Sequence, residues 1–227
     1  AKGLGADTAT ILRYANSADV GADRSQVVGY GAVMFWCYRP PELDEEQRSF
    51  LLSLARESIA ARLARKPLPN PSVGDAELLR PLGAFVTLKI NGDPSTGLGA
   101  SLRGCIGNLT ATAPLYQTVQ QMAQAAAFED PRFPPLTADE LEQVTVEISV
   151  LSPMRRITST EQIEIGRDGL YLIKGASRGV LLPQVPVEQG WNLQQYLDNL
   201  CEKAGLGPGC WQEGAALYTF TAVVFEE

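Results

Sequence analysis

Apolar side chains recur at helical spacing soon after residue 44, at Phe50, Leu51, Leu54, Ile59 and Leu63. Asp44 is placed to cap the amino end of this helix, and Gln47 completes a capping box three residues later. The pattern predicts a helix of about five to six turns, at a rise of roughly 1.5 Å per residue. The helix is expected to end before residues 66 to 75, because three prolines in that stretch prevent regular structure.

Strand patterns dominate the stretches that follow. Residues 84 to 90 (AFVTLKI) and 100 to 107 (ASLRGCIG) predict two strands joined by a loop of turn-forming residues. Residues 144 to 151 (VTVEISVL) predict another strand, whose alternate side chains lie on opposite faces. Further strands are expected around residues 163 to 165, 170 to 173 and 180 to 182, and a single final strand at residues 216 to 225.

Three more helices are predicted from their ends. Pro114 suits the first turn of a helix, where its missing N–H is tolerated. Thr137 and Glu140 have capping-box spacing for a short helix, and Asn192 can cap a helix that ends at Gly205. Helices and strands therefore mix without a strict βαβ order, which favours an α+β fold with a mostly antiparallel sheet and flanking helices.

The opening stretch differs from the rest of the chain. Residues 10 to 36 predict two strands joined by a turn-rich loop, and Pro40 and Pro41 then interrupt backbone pairing. We therefore expect a first segment at residues 1 to 36, a linker at 37 to 42 and the main domain at 43 to 227. Since residues 27 to 36 are largely apolar, the two strands are expected to lie against the main domain.

Composition narrows the possible partners. A formal charge of −7 disfavours nucleic acid, which is bound mostly by cations that neutralise phosphates. No apolar run approaches the roughly 20 residues that span a bilayer, and the first ten residues lack the pattern of a signal peptide. We therefore expect a cytoplasmic protein that binds neither nucleic acid nor membrane.

The chain contains no histidine and four scattered cysteines. Ser-His-Asp and Cys-His catalysis and histidine metal sites are thus excluded within this polypeptide. The cysteines, at positions 37, 105, 201 and 210, form no CxxC pair, so we expect reduced thiols, no metal and no bound cofactor. Cys201 is expected in the core, and Cys210 has no evident partner.

A glycine-rich segment at residues 97 to 107 surrounds Cys105. It fits neither the dinucleotide fingerprint nor the phosphate-loop pattern. A hairpin turn with a buried cysteine is one interpretation, and a backbone that approaches a ligand is the other.

Several motifs in order resemble the AMMECR family from about residue 43 to the end. They are AFVTL, LRGCIG at residues 102 to 107, DPRFPP at 130 to 135, VEISVL at 146 to 151 and LLPQVPVEQGW at 181 to 191. The resemblance implies an α+β fold of a larger and a smaller subdomain, with a cleft of suspected function near RGCIG. It implies no particular reaction.

Residues 12 to 35 are similar to the carboxyl-terminal strands of Memo-like proteins, which are related to extradiol dioxygenases. The resemblance implies the back end of a bacterial Memo–AMMECR fusion, and a radical SAM protein as a possible partner. Val20 stands where Memo-like proteins can place a metal-binding cysteine, so the metal function is not carried over.

Cys105 is the candidate nucleophile. If its segment is extended, Arg103 lies on the same face, and a guanidinium there would favour the thiolate. Gly104 and Gly107 flank the thiol with little bulk. Against this interpretation, free cysteines are commonly buried, and the chain offers no histidine as a base.

Four polar residues are candidates for the remaining walls of a site. Asp130 and Arg132 either form a pair that orders a loop or hold a polar ligand. Glu147 lies in an apolar strand, where alternation favours the solvent face over a functional hollow. Gln184 belongs to the LLPQVP motif and can offer amide hydrogen bonds.

Two functions of different classes remain open. One is a cleft enzyme, or a component that handles its substrate, in which Cys105, Arg103 and Glu147 act on an unknown small molecule or protein. The other is a non-catalytic module that binds a protein partner. Convergence of Cys105 with these polar groups would favour the enzyme.

Overall fold

The computed structural model describes residues 8–16, 29–36, 39–90, 100–110 and 113–227. The chain divides into two compact units, Ala1–Arg39 and Pro40–Glu227. In the first unit, strand β1 (Thr8–Asn16) pairs antiparallel with β2 (Gly29–Trp36). The two predicted strands are therefore confirmed, and their packing against the main domain stays a prediction.

The second unit contains five α-helices and two sheets within its described residues. The helices are α1 (Glu45–Leu63), α2 (Leu115–Phe128), α3 (Ala138–Leu141), α4 (Val185–Glu188) and α5 (Leu193–Lys203). The strands are β3 (Ala84–Ile90), β4 (Ser101–Asn108), β5 (Val144–Leu151), β6 (Arg155–Ile157), β7 (Gly169–Lys174), β8 (Ser177–Leu181), β9 (Ala216–Phe220) and β10 (Ala222–Glu226).

The larger lobe is an antiparallel sheet in the order β10-β5-β3-β4, with α1 and α2 packed on one face. Alternate residues of its central strands, such as Val86, Leu88 and Ile148, are fully buried on that face. Each such side chain contributes about 1.5–3 kcal/mol when removed from water. The helix layer lies very close at Gly104, where a Cβ would stand 2.2 Å from the carbonyl oxygen of Ala126 in α2.

The predicted helix ends are largely confirmed. Asp44 and Gln47 form the capping box of α1, and matching boxes begin α3 and α5. Gly205 follows α5 with a positive φ of 73°, a conformation that glycine adopts without strain. Helix α2 begins one residue later than expected, with Pro114 as its N-cap.

The smaller lobe is an antiparallel sheet in the order β6-β9-β7-β8, with α5 packed on it. One predicted strand in this lobe is absent. Residues 163 to 165 form no strand, because a 3₁₀ helix (Thr160–Gln162) precedes them and Asp168 then accepts a hydrogen bond from the Glu164 N–H at 2.9 Å.

The expected single last strand is divided at Thr221 into β9 and β10, which belong to different sheets. The chain also passes between the sheets at Ser152, from β5 to β6. These two crossings lie side by side, because the Ser152 N–H donates to the Thr221 carbonyl oxygen and the Thr221 N–H donates to Ser152 Oγ, both at 2.9 Å. The continuous apolar pattern of residues 216 to 225 conceals this change of sheet.

The expectation of reduced thiols is wrong for one pair, since Cys201 and Cys210 form a disulfide. Gly205 and Gly209, both at positive φ, reverse the chain after α5. Asp198 Oδ1 then accepts hydrogen bonds from the Gly209 N–H at 2.8 Å and from Trp211 Nε1 at 3.1 Å. This turn brings the two Cα atoms to 5.8 Å, within the range of a disulfide. Cys201 is fully buried, as expected.

Candidate functional site

Cys105 lies on β4, the edge strand of the larger sheet. It faces Thr87 on β3, Thr87 faces Glu147 on β5, and Glu147 faces Glu226 on β10. The neighbours of Thr87 in sequence are buried under the helices, so this row of four residues lies on the opposite face, here called the outer face.

The Cys105 thiol is partly buried and contacts one side chain in the row. Thr87 Oγ1 donates to Cys105 Sγ at 3.3 Å. The backbone N–H and C=O of Cys105 point away from β3, so Thr87 and Cys105 form a non-hydrogen-bonded pair, the closer kind of antiparallel pair. The strand register therefore places a hydroxyl donor against the sulfur.

Asp130 and Arg132 hold the backbone of Cys105. Asp130 Oδ2 accepts from the Cys105 N–H at 2.9 Å, and Arg132 Nη2 donates to the Cys105 carbonyl oxygen at 3.2 Å. The same guanidinium binds the Asp130 carboxylate at 2.9 Å through Nε and 2.7 Å through Nη2. Hydrogen bonds from Arg132 and from the Cys105 N–H hold the pKa of the buried Asp130 well below its ordinary value. The pair thus satisfies an exposed strand edge and places a positive charge beside Cys105.

Arg103 serves a different carboxylate. It occupies an irregularity in the β3–β4 pairing, is buried, and donates to Glu140 at 2.7 Å through Nε and 3.0 Å through Nη2. Hydrogen bonds from Arg103, and then from the Thr137 N–H, lower the pKa of Glu140 to about 2. Arg103 was the expected neighbour of the thiol, but the guanidinium that contacts Cys105 belongs to Arg132.

Glu147 lies on the outer face, as the alternation of its strand predicted. Lys89 Nζ donates to Glu147 Oε2 at 2.6 Å and to Glu226 Oε2 at 3.0 Å. Burial alone would lower the pKa of Lys89, but its hydrogen bonds to the two carboxylates outweigh this and raise the pKa. The carboxylate of Glu147 is therefore paired and only partly exposed.

The two glycines of the motif have packing roles. Gly104 allows α2 to approach β4, as described above. At Gly107 a Cβ would stand 2.2 Å from Cγ of Phe85, so the Phe85 ring covers this glycine on the outer face. Both positions exclude a larger side chain for reasons that need no ligand.

Gln184 lies apart from the other candidates in the chain, at the N-cap of α4 in the smaller lobe. Among the described residues, no hydrogen bond joins it to Cys105, Asp130 or Arg132. Its role in a binding site stays a prediction, as does a cleft with Cys105 in its wall.

Sequence reasoning missed Thr87. Its signal was present, since alternation in AFVTLKI places Thr87 on the face opposite Val86 and Leu88. The pairing with Cys105 was hidden because the register of two strands cannot be counted across a loop of unknown turn type.

Across the described ranges, no group of three or more His, Cys, Asp or Glu side chains could hold a metal ion. Within those ranges, no helix is both long and apolar enough to cross a membrane.

The fold and the site define a class: an α+β protein of two antiparallel sheets, with a partly buried thiol on the outer face of the larger one. The chain belongs to the AMMECR1 family, whose model matches residues 52–225. Protein PH0010 of Pyrococcus horikoshii is 42% identical over 194 residues, which span 82% of this chain and 92% of that protein. Protein MJ0810 of Methanocaldococcus jannaschii is 41% identical over 192 residues, 78% and 92% of the two chains.

A solved structure agrees with the fold. The crystal structure of the uncharacterised protein PH0010 superposes with a TM-score of 0.73 at 42% sequence identity, covering 82% of this chain and 93% of that one. The resemblance to the AMMECR family and the α+β fold are thereby confirmed.

Proposed function

We propose that this protein is a thiol-dependent enzyme, or the substrate-handling component of one, that acts on an electrophilic small molecule through Cys105. The observation that carries the proposal is the setting of the sulfur. Cys105 is a free, partly exposed cysteine, Thr87 donates a hydrogen bond to its Sγ, and Arg132 binds its carbonyl oxygen. A substrate that reaches the sulfur would meet both a hydroxyl and a guanidinium, and a polar, partly open setting of this kind is typical of reactive cysteines.

The neighbouring residues take distinct roles in this proposal. Cys105 Sγ adds to an electrophilic carbonyl carbon: the S–C bond forms, the C=O π bond breaks, and its electron pair moves to the carbonyl oxygen. Thr87 holds the sulfur in place through its hydrogen bond. Glu147, which faces Thr87 on β5, takes up the thiol proton because the chain has no histidine, and its ion pair with Lys89 opens for this transfer. Arg103 acts indirectly, since it holds α3 to the edge strand through Glu140.

The other candidates form the surroundings of the thiol. Asp130 orients Arg132, which leaves that guanidinium half exposed and able to meet a polar group of the substrate. Gly104 and Gly107 add no side chain to the strand on either side of Cys105. Gln184, from the smaller lobe, supplies an amide that binds the substrate.

The chain is proposed to work in the cytoplasm within a larger modification system. The support is the similarity of residues 12 to 35 to the last strands of Memo-like proteins. That similarity suggests a Memo-like domain and a radical SAM protein as partners.

A non-catalytic binding module is the alternative, and one observation favours it. Arg103 with Glu140 and Arg132 with Asp130 each form a pair that stabilises the fold around the motif. The motif glycines also have packing roles, so the structure of the domain alone accounts for these residues of the motif.

Thiol labelling distinguishes the two functions. The native chain is treated with iodoacetamide at neutral pH, and modified peptides are read by mass spectrometry. The enzyme proposal expects Cys105 to react before Cys37 and before the bridged pair, Cys201 and Cys210. Thr87→Val, which removes the hydrogen bond to Sγ, should change the rate at which Cys105 is labelled at neutral pH, and Thr87→Ser, which keeps the hydroxyl, should restore the parent rate.

Two outcomes would favour the binding module. One is a Cys105 that reacts only after the protein unfolds. The other is an equal labelling rate of Cys105 in the Thr87→Val and Thr87→Ser variants at neutral pH. Capture of metabolites by the intact protein, followed by mass spectrometry, would then identify the small molecule if the enzyme proposal survives.

A further inference from the structure

The smaller lobe contains a cysteine pair whose two members are buried to different extents. Cys201 is fully buried in α5, within the core that includes Leu197 and Leu200. Cys210 is partly exposed in the loop that follows the helix. The disulfide therefore joins a fully buried cysteine to one that is partly exposed.

The loop is held against α5 without help from the disulfide. Asp198 accepts from the Gly209 N–H and from Trp211 Nε1, at 2.8 and 3.1 Å. Lys174 Nζ donates to the carbonyl oxygen of Cys210 at 3.0 Å. Three hydrogen bonds thus flank Cys210, so reduction of the disulfide would leave both thiols close together.

The charges around Cys210 also distinguish the two thiols. Lys174 brings an ammonium group to the backbone of Cys210, and a neighbouring cation favours a thiolate. Cys201 lies inside the apolar core, whereas Cys210 packs only against its edge, and full burial favours the neutral thiol. A partly exposed thiolate beside a buried second thiol is the arrangement of a cysteine that reacts with peroxide and of the cysteine that resolves it.

We propose that Cys201 and Cys210 form a reversible site of oxidation by hydroperoxides, separate from Cys105. The Cys210 thiolate attacks the terminal peroxide oxygen, so that an S–O bond forms, the O–O bond breaks, and hydroxide leaves from hydrogen peroxide or an alkoxide from an organic hydroperoxide. The Cys201 thiol then attacks the sulfenic acid sulfur of Cys210. The S–S bond forms, the S–O bond breaks, and the hydroxyl group leaves with the thiol proton as water. The cysteine pair loses two electrons, which reduce the peroxide.

Oxidation also has a structural consequence. The residue after Cys210 is Trp211, which lines a cavity of about 340 Å³ together with Gln212, Ala215 and residues 157 to 160. The disulfide fixes this wall to α5, and reduction leaves it held by hydrogen bonds alone.

The test uses the full chain with Cys37→Ser and Cys105→Ser, so that only this pair remains. The folded protein is reduced with dithiothreitol, freed of it, and treated with hydrogen peroxide and dimedone, which traps sulfenic acid. Cys201→Ser should accumulate a dimedone adduct at Cys210, whereas Cys210→Ser should form none. The chain with both cysteines should regain the disulfide and remain largely unlabelled.

Lys174→Met should slow oxidation of Cys210 by roughly three- to tenfold. The fraction of thiolate falls, and the greater nucleophilicity of the remaining thiolate offsets part of this loss. Arg178→Met, on the neighbouring strand β8, removes the same charge and serves as the control. The reduced parent chain gives an independent reading without substitution in the pair, since iodoacetamide should label Cys210 before Cys201. A disulfide that dithiothreitol cannot reduce in the folded state, or a Cys201→Ser chain without adduct, would overturn the proposal. Neither result depends on whether Cys105 is catalytic.

Discussion

Replacing Asp130 by asparagine tests how far the edge strand depends on its carboxylate. Asp130 is 4% exposed and accepts four hydrogen bonds, from two backbone N–H groups and from Nε and Nη2 of Arg132. An asparagine keeps the shape but loses the charge and one acceptor atom. Hydrogen bonds to a charged group contribute about 1.5–3 kcal/mol each, and the exposed Arg132 recovers part of its loss from water. We expect the free energy of unfolding to fall by about 2–3 kcal/mol at neutral pH.

The pH dependence gives the sharper reading. The pKa of Asp130 is lowered in the folded state, so its stabilisation is fully present above its ordinary value of about 4. The stabilisation is lost as pH falls toward the lowered folded pKa. Urea unfolding of both proteins from pH 7 to pH 3 should therefore show a difference that narrows below about pH 4.

A control separates this effect from the loss of any carboxylate. Asp139 is exposed in the first turn of α3, and Asp139→Asn should change stability by only about 0.5 kcal/mol. If Asp130→Asn is no more destabilising than Asp139→Asn, or if its effect is the same at pH 3 and pH 7, the charge of the Asp130 carboxylate does not stabilise the edge strand.

Two other predictions concern the same strand. Gly104→Ala should lower the free energy of unfolding by about 1–3 kcal/mol, measured by thermal or urea unfolding, because its Cβ would press on the Ala126 carbonyl oxygen. Gly74→Ala, which has open space around it, should be nearly neutral. Equal effects of the two substitutions would contradict the close packing of α2. Glu140→Gln should lower the free energy of unfolding by about 1–2 kcal/mol at neutral pH, because it removes the charge that pairs with Arg103. Since the pKa of Glu140 in the folded protein is about 2, the difference from the parent should shrink as pH falls from about 4 toward 2. A difference that does not change with pH would show that the charge of Glu140 contributes nothing to the pair.

Local signals in the sequence were enough to predict much of the fold. The capping box of Asp44 and Gln47 lies within four consecutive residues, and its geometry is set by helix formation alone. Asp130 and Arg132 are two residues apart, so their pairing could be weighed from the sequence as one of two roles. What such signals share is that both partners lie within one turn or loop.

The rest of the site depends on contacts between distant segments. Arg103 pairs with Glu140, 37 residues away, and Thr87 meets Cys105 only in one strand register. The disulfide of Cys201 and Cys210 spans nine residues but needs a reversal that no pattern of apolar positions indicates. Tertiary packing selects these partners, and a single sequence offers many alternatives of equal chemistry.

The paired crossings at Ser152 and Thr221 also set how the two lobes can move. Strands β5 and β6 run beside β10 and β9, so the lobes share a two-stranded ribbon that is hydrogen bonded at its midpoint. A single covalent link would allow one lobe to swivel freely, whereas two adjacent links resist torsion about the ribbon and leave bending across it as the softer motion. The lobes would then open or close by rotation about one axis, perpendicular to the ribbon, with Ser152 and Thr221 at the hinge.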